Sequence, residues 1–138
     1  MTLRIIVTGN REWNDVATIR EVLSCFPRGT IVVHGAASGA DSIAHDLCDA
    51  FGLVPEPHPA KWADHGRAAG PIRNREMIAL GANGIVAFGD LFDGTTRRGT
   101  GDCLFEALRK GIPGLAVPYG VKVAALRPLA QGLLFGGV

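Results

Sequence analysis

Three short apolar runs each end in a glycine-bearing loop: Val7-Thr8-Gly9-Asn10-Arg11, His34-Gly35-Ala36-Ala37-Ser38-Gly39-Ala40-Asp41 and Arg98-Gly99-Thr100-Gly101-Asp102. Glycine has no Cβ, so a ligand can approach the backbone N–H groups of such a loop closely. Where a helix follows, its unpaired N–H groups and positive dipole end favour an anion. One loop of this kind says little, but three in one small chain predict a shared rim around phosphate, with a nucleotide or a relative of one as ligand. Gly9, Asn10, Gly35, Ala36, Ser38, Gly39, Gly99, Thr100 and Gly101 are the loop positions expected to contact it.

Charged and aromatic residues add to this rim. Arg11, Arg73, Arg75 and Arg98 come from three segments, and a guanidinium fork suits phosphate. Arg73 and Arg75 stand two apart on an expected helix and so face different ways; one is expected at the ligand, the other on a carboxylate. Asp41 has two open roles, a ribose hydroxyl or the loop backbone. Trp13 and Trp62 lie in expected loops, where each has base stacking and packing under the loop as alternatives. His34 ends a strand and is placed to brace the turn. No His-x-His or His-Glu-x-x-His spacing supports a metal, and Asp90-Leu91-Phe92-Asp93-Gly94 lacks the oxygen ligands of an EF-hand, so neither metal nor resident cofactor is expected.

These loops must be carried by alternating strands and helices. Leu3–Val7 and Thr30–His34 read as buried parallel strands. Between them Asp15 caps a helix whose Val16, Ile19, Val22, Leu23 and Phe26 recur at helical spacing. A second helix is expected over Ala40–Phe51 with Gly52 as its cap. A third strand through Leu53 and Val54 runs into Pro55, Pro57 and Pro59, which confine it to a sheet edge. Ala60–Gly70 is aperiodic and reads as a functional loop, and Pro71 as the first residue of a helix ended by Gly81. Gly84–Gly89 is a fourth strand, a helix starts near Gly101-Asp102 and closes at Lys110-Gly111, and Ile112–Val117 is a fifth strand. The expected fold is α/β: a doubly wound, Rossmann-like parallel sheet of about five strands with helices on both faces, and its ligand past the strands' carboxyl ends. Residues 1–118 form this domain, and 119–138 an apolar tail broken by Pro128, Gly132, Gly136 and Gly137. Val121, Val123, Ala124, Leu126, Leu129, Leu133, Leu134 and Phe135 in that tail are expected to cover the sheet edge or to join a homo-oligomer.

Composition narrows the class. With 138 residues and 47% hydrophobic content the chain has material for one real core. A formal net charge of +1 gives no electrostatic footprint for nucleic acid. No apolar stretch reaches the length of a membrane span and Met1-Thr2-Leu3-Arg4 runs straight into a strand, so a cytoplasmic protein without a membrane partner is expected. Cys25, Cys48 and Cys103 are odd in number and set among apolar neighbours, which predicts reduced, buried thiols.

In order, Thr8-Gly9-Asn10-Arg11-Glu12-Trp13, the His34–Asp41 loop, Pro59-Ala60-Lys61-Trp62, Ala69-Gly70-Pro71-Ile72-Arg73-Asn74-Arg75-Glu76-Met77 and Gly99-Thr100-Gly101-Asp102 resemble the YspA-related branch of the SLOG superfamily, up to about Val117. Gly70-Pro71-Ile72-Arg73-Asn74-Arg75 is the most specific stretch, and the family pattern favours Arg75 as the ligand-facing arginine. The resemblance implies a domain that binds nucleotides or nucleotide-derived small molecules as a sensor or sequestering protein, or as an N-glycosidic hydrolase. LOG-type phosphoribohydrolases place a glutamate three residues after the loop threonine. That position here is Cys103, and the nearest carboxylates are Asp102 and Glu106, the candidate catalytic groups. Glycosidic cleavage passes through a cationic sugar, so a carboxylate near the ribose is what such chemistry needs. Single-stranded nucleic-acid binding, as in the DprA proteins of the superfamily, is a third alternative, opposed by the near-neutral charge.

Overall fold

The computed structural model describes residues 2–135. Five parallel strands, β1 (Arg4–Gly9), β2 (Ile31–His34), β3 (Val54–Pro57), β4 (Gly84–Phe88) and β7 (Gly114–Val117), form one sheet in the order β3-β2-β1-β4-β7. The winding reverses between β1 and β4, whose register pairs Ile5 with Gly84 through Gly9 with Phe88. That pair of carboxyl ends is the switch point at which ligands sit in open α/β sheets.

Alternation along the strands assigns the two faces. Ile5, Val7, Val32, Val86, Phe88 and Val117 point to a face covered by α1 (Val16–Ser24), α2 (Ala40–Phe51) and α6 (Val123–Phe135). Ile6, Val33, Ile85 and Ala87 point to the other, covered by α4 (Ala69–Ala79) and α5 (Gly99–Arg109). Both faces are dry, which is why the strands read as continuous apolar runs. Asp15 caps α1 through its side chain, accepting from Thr18 N at 3.2 Å, and Gly52 ends α2 in the left-handed region.

Several elements differ from the sequence expectation. The Ala60–Gly70 segment is a short helix α3 (Trp62–His65) and a 3-10 turn (Gly66–Ala68) running into α4, so α4 begins at Ala69 and Pro71 is its third residue. Proline is tolerated there because the first-turn N–H groups have no intrahelical acceptor. Between β4 and α5 the expected loop contains a hairpin, β5 (Phe92–Asp93) with β6 (Thr96–Arg97), too short for any periodicity to register. The apolar tail folds back as α6 despite Pro128: Leu126 and Ala130 are buried, and Val121, Leu133 and Leu134 pack on the same core. Part of the tail's apolar surface is thus covered within the chain, while Val123, Ala124 and Leu129 are exposed and the Phe135 side chain lies outside the described residues. Among the described residues no helix is long and apolar enough to cross a membrane.

Candidate functional site

A cleft of about 260 Å³ opens at the switch point, between the loops after β1 and β2, the start of α4 and the start of α5. Of the residues expected at the ligand, Gly9, Asn10, Arg11, Asp41, Arg73, Arg98, Gly99 and Thr100 line it. Gly35, Ala36 and Ser38 line an adjoining compartment of about 310 Å³. Arg11, Ala37, Trp62 and Arg73 belong to both.

The glycines have different reasons for being there. A Cβ on Gly9 would lie 2.3 Å from the Ala40 Cβ, so this glycine lets α2 approach β1. A Cβ on Gly39, at φ +75, would lie 2.4 Å from the Asn10 and Arg11 carbonyl oxygens, and one on Gly101 would lie 2.2 Å from Leu91 O. Gly39 and Gly101 line neither compartment; they serve loop-on-loop packing, a correction to their expected ligand role. Gly99 is the exception. Nothing lies within 4 Å of its would-be Cβ, and it is exposed to the cleft at the first residue of α5. α5 has no side-chain cap at its N-terminus, so its first-turn N–H groups are open to an anion, whereas at the start of α2 Ala40 N donates to Asn10 O at 3.4 Å.

Asn10 is a latch. It is 2% exposed, its Nδ2 donates to Asp90 O and Thr100 Oγ1, both at 2.9 Å, and its Oδ1 accepts from Asp90 N at 2.7 Å. The latch ties the loop after β1 to the loop after β4, fixing Thr100 at the cleft.

Of the two arginines of α4, Arg73 and not Arg75 lines the cleft. Arg73 faces the cleft: Nε donates to Asn74 Oδ1 at 2.9 Å, and Nη1 to Gly35 O and to His58 O. Arg75 is exposed in the groove between α4 and α5 with Ile78, Ala79, Glu106, Arg109 and Lys110. The two positions stand about 200° apart around the helix, and burial of Gly70, Asn74, Met77 and Ile78 turns Arg73 toward the switch point. Accordingly, Arg75→Ala is expected to leave ligand affinity within about twofold, whereas Arg73→Ala weakens it at least tenfold, since losing a desolvated charge contact costs about 2–5 kcal/mol. Paired calorimetric titrations of the two variants check this, and a large loss in Arg75→Ala would place the anion in the α4–α5 groove instead.

The candidate catalytic carboxylates are not in the cleft. Asp102 is held by Asn74 Nδ2 at 3.4 Å on the α4 side, and Glu106, one turn on, pairs with Arg109. Cys103, at the position of the glutamate in the resembling hydrolases, turns into the core, where burial pushes its thiol up to about 12. The carboxylates that do line the cleft are Glu12, paired with Arg98, and Asp41. Sequence reasoning passed over Glu12.

Asp41 is 4% exposed. Its Oδ2 accepts from Gly35 N at 2.9 Å and Ala37 N at 3.4 Å, while its Oδ1 is buried with no hydrogen-bond partner. Burial pushes the carboxyl up to about 6, against the opposing pull of those two N–H groups, Arg73 and Arg11. His34 braces the same loop: its Nδ1 accepts from Ala36 N at 3.0 Å, which leaves Nε2 protonated and donating to His45 Nδ1 at 2.9 Å. Burial, reinforced by His45, His58 and Arg73, lowers His34 to about 4. Trp13 is buried against Phe88 and Tyr119 and is a packing residue, whereas Trp62 stands 47% exposed at the cleft. Among the described residues no group of three or more His, Cys, Asp or Glu side chains is placed to hold a metal.

Comparison with known proteins agrees with this architecture. The profile of the YspA, cpYpsA-related SLOG family matches residues 3–65. Gene 61 protein of Mycobacterium phage D29 is 39% identical over 119 residues, covering 80% of this chain and 92% of that protein. DNA processing protein A (DprA) from Streptococcus pneumoniae superposes with a TM-score of 0.66 at 17% identity, over 99% of this chain and 57% of that one. This chain thus corresponds to little more than half of DprA and shares its fold.

Proposed function

We propose that this chain, which belongs to the YspA, cpYpsA-related SLOG family, binds a nucleotide or nucleotide-derived small molecule in the switch-point cleft, in a sensing or sequestering role. The reading is carried by Gly99: an exposed, unobstructed glycine opening an uncapped helix, with Arg11, Arg73 and Arg98 lining the same cleft. Phosphate oxygens take up the open N–H groups of α5 and the guanidinium donors together. What DprA's name says of DNA processing is not transferred at 17% identity, and a net charge of +1 gives no overall attraction to a polyanion.

The test is Gly99→Val. Its side chain enters space that is empty in the protein, so the melting temperature is expected to hold within about 2 °C while a ligand-induced rise disappears, corresponding to about a hundredfold loss of affinity. Thermal shift against AMP, NAD and ADP-ribose, followed by calorimetry, provides the reading; undiminished binding in the variant would rule out this rim. A second reading, hydrolysis of the ligand's N-glycosidic bond, draws on Asp41, the buried cleft carboxylate with an unsatisfied oxygen. Chromatography of the same mixtures for free base separates binding from turnover, and turnover surviving in Asp41→Asn would exclude this carboxylate.

A further inference from the structure

The adjoining compartment borders the first cleft along Arg11, Ala37, Trp62 and Arg73. The Arg11 guanidinium lies over the Trp62 ring, 5.2 Å from its centroid, and both residues line both compartments. Gly70 lies beside the edge of the ring, where a Cβ would stand 3.5 Å from Cη2. The 47% exposure of Trp62 is unusual for tryptophan on a folded domain and leaves it reachable from the compartments. The compartment's far wall is strained: Ala36 is the one non-glycine residue of positive φ among the described residues, at +55, and its N–H is committed to His34. An L-residue is held there only when the surroundings over-determine it, and such positions cluster at ligand sites.

From this arrangement we infer that the adjoining compartment is a subsite for a planar heteroaromatic base, which replaces the Arg11 guanidinium on Trp62 while Arg11 turns to the phosphate. The inference rests on the phosphate reading of the first compartment. Chemistry supports the exchange in both directions. A guanidinium over an indole at an exposed site is a weak contact, whereas a base stacked on an aromatic ring and an arginine paired with phosphate are each stronger. The pair therefore stands in for a bound ligand's base and closes the groove until one arrives. The ligand class that follows is a base-bearing nucleotide, in preference to a bare sugar phosphate.

Two probe classes and two variants of the full chain test this. Trp62 fluorescence is readable because Trp13, the other tryptophan, is buried against Phe88 and Tyr119. AMP and ADP-ribose are expected to quench the emission and to bind about tenfold or more tightly than ribose 5-phosphate. Trp62→Leu, an exposed substitution, is expected to abolish the quench and bring the affinity for AMP and ADP-ribose down to that for ribose 5-phosphate, which itself changes less than twofold. Equal wild-type affinities for base-bearing and base-free probes, or unaltered AMP and ADP-ribose affinities in Trp62→Leu, overturn the base subsite. Gly99→Val separates the two claims: if it leaves ribose 5-phosphate binding intact, the phosphate reading fails, and if it abolishes that binding while Trp62→Leu changes nothing, only the base subsite fails. Absence of binding by every probe overturns both.

Discussion

Asn10→Ala is expected to lower stability by about 3 kcal/mol and the melting temperature by about 10 °C. The side chain removed is 2% exposed and satisfies three groups at once: Asp90 O, Asp90 N and Thr100 Oγ1. Truncation leaves those groups without their partner, and each buried group left unsatisfied costs about 1–3 kcal/mol. Asn10→Asp tests the donor separately: it keeps the acceptor for Asp90 N but brings a carboxylate oxygen against Asp90 O, so a comparable loss is expected. Chemical denaturation of both variants gives the answer. A change below about 0.5 kcal/mol in Asn10→Ala would mean that the loop after β1 is held at the β4 end by its backbone bond, Asn10 N to Phe88 O, and that the latch is superfluous.

Asn10 also shows where sequence reasoning reaches its limit. Position, residue type and neighbouring glycines all mark it as part of the rim, and it does line the cleft, yet its side chain is used up by the protein. Ligand approach and loop-on-loop packing both demand small or polar residues at strand ends, so the same signal covers Gly99, open to the cleft, and Gly39, where a Cβ would meet two carbonyl oxygens. The strands and α2 were legible because burial on both sheet faces and the Gly52 cap leave direct marks in residue type. The rotation of α4 was not, since its buried positions include Gly70 and Asn74 in place of an apolar stripe, and only tertiary contact shows that Arg73 and not Arg75 turns inward. Pro128 argued against α6. Burial of Leu126 and Ala130 on the face shared with α1 outweighs the hydrogen bond that a proline removes.

Between pH 4 and 6 the stability of the wild-type chain is expected to stay nearly level, and Asp41→Asn to make it climb. Two buried groups of the same loop act in opposite directions across this window. Asp41 is raised from 3.8 to about 6, so the native state holds a proton that the unfolded chain has released. Its contribution is complete below pH 3.8 and is lost as pH rises through 6, to an extent of about 3 kcal/mol. His34 is lowered from 6.5 to about 4, so it favours the native state above pH 6.5 and that contribution is lost as pH falls through 4, again by about 3 kcal/mol. The slopes oppose one another over the shared range and nearly cancel. Glu56, held at about 2 by Arg4 and then His58, loses its contribution only as pH falls below 4.5 and enters at the acid edge alone. Asparagine at position 41 retains an oxygen for the Gly35 and Ala37 N–H groups but has no proton to release, so the His34 slope is left uncompensated and stability rises by about 2 kcal/mol from pH 4 to 6. Denaturant titrations of both proteins at half-unit pH intervals measure the two slopes directly. A wild-type profile as steep as that of Asp41→Asn would show that Asp41 is ionised throughout, and with it that the unsatisfied Oδ1 at the cleft already has a partner in solution.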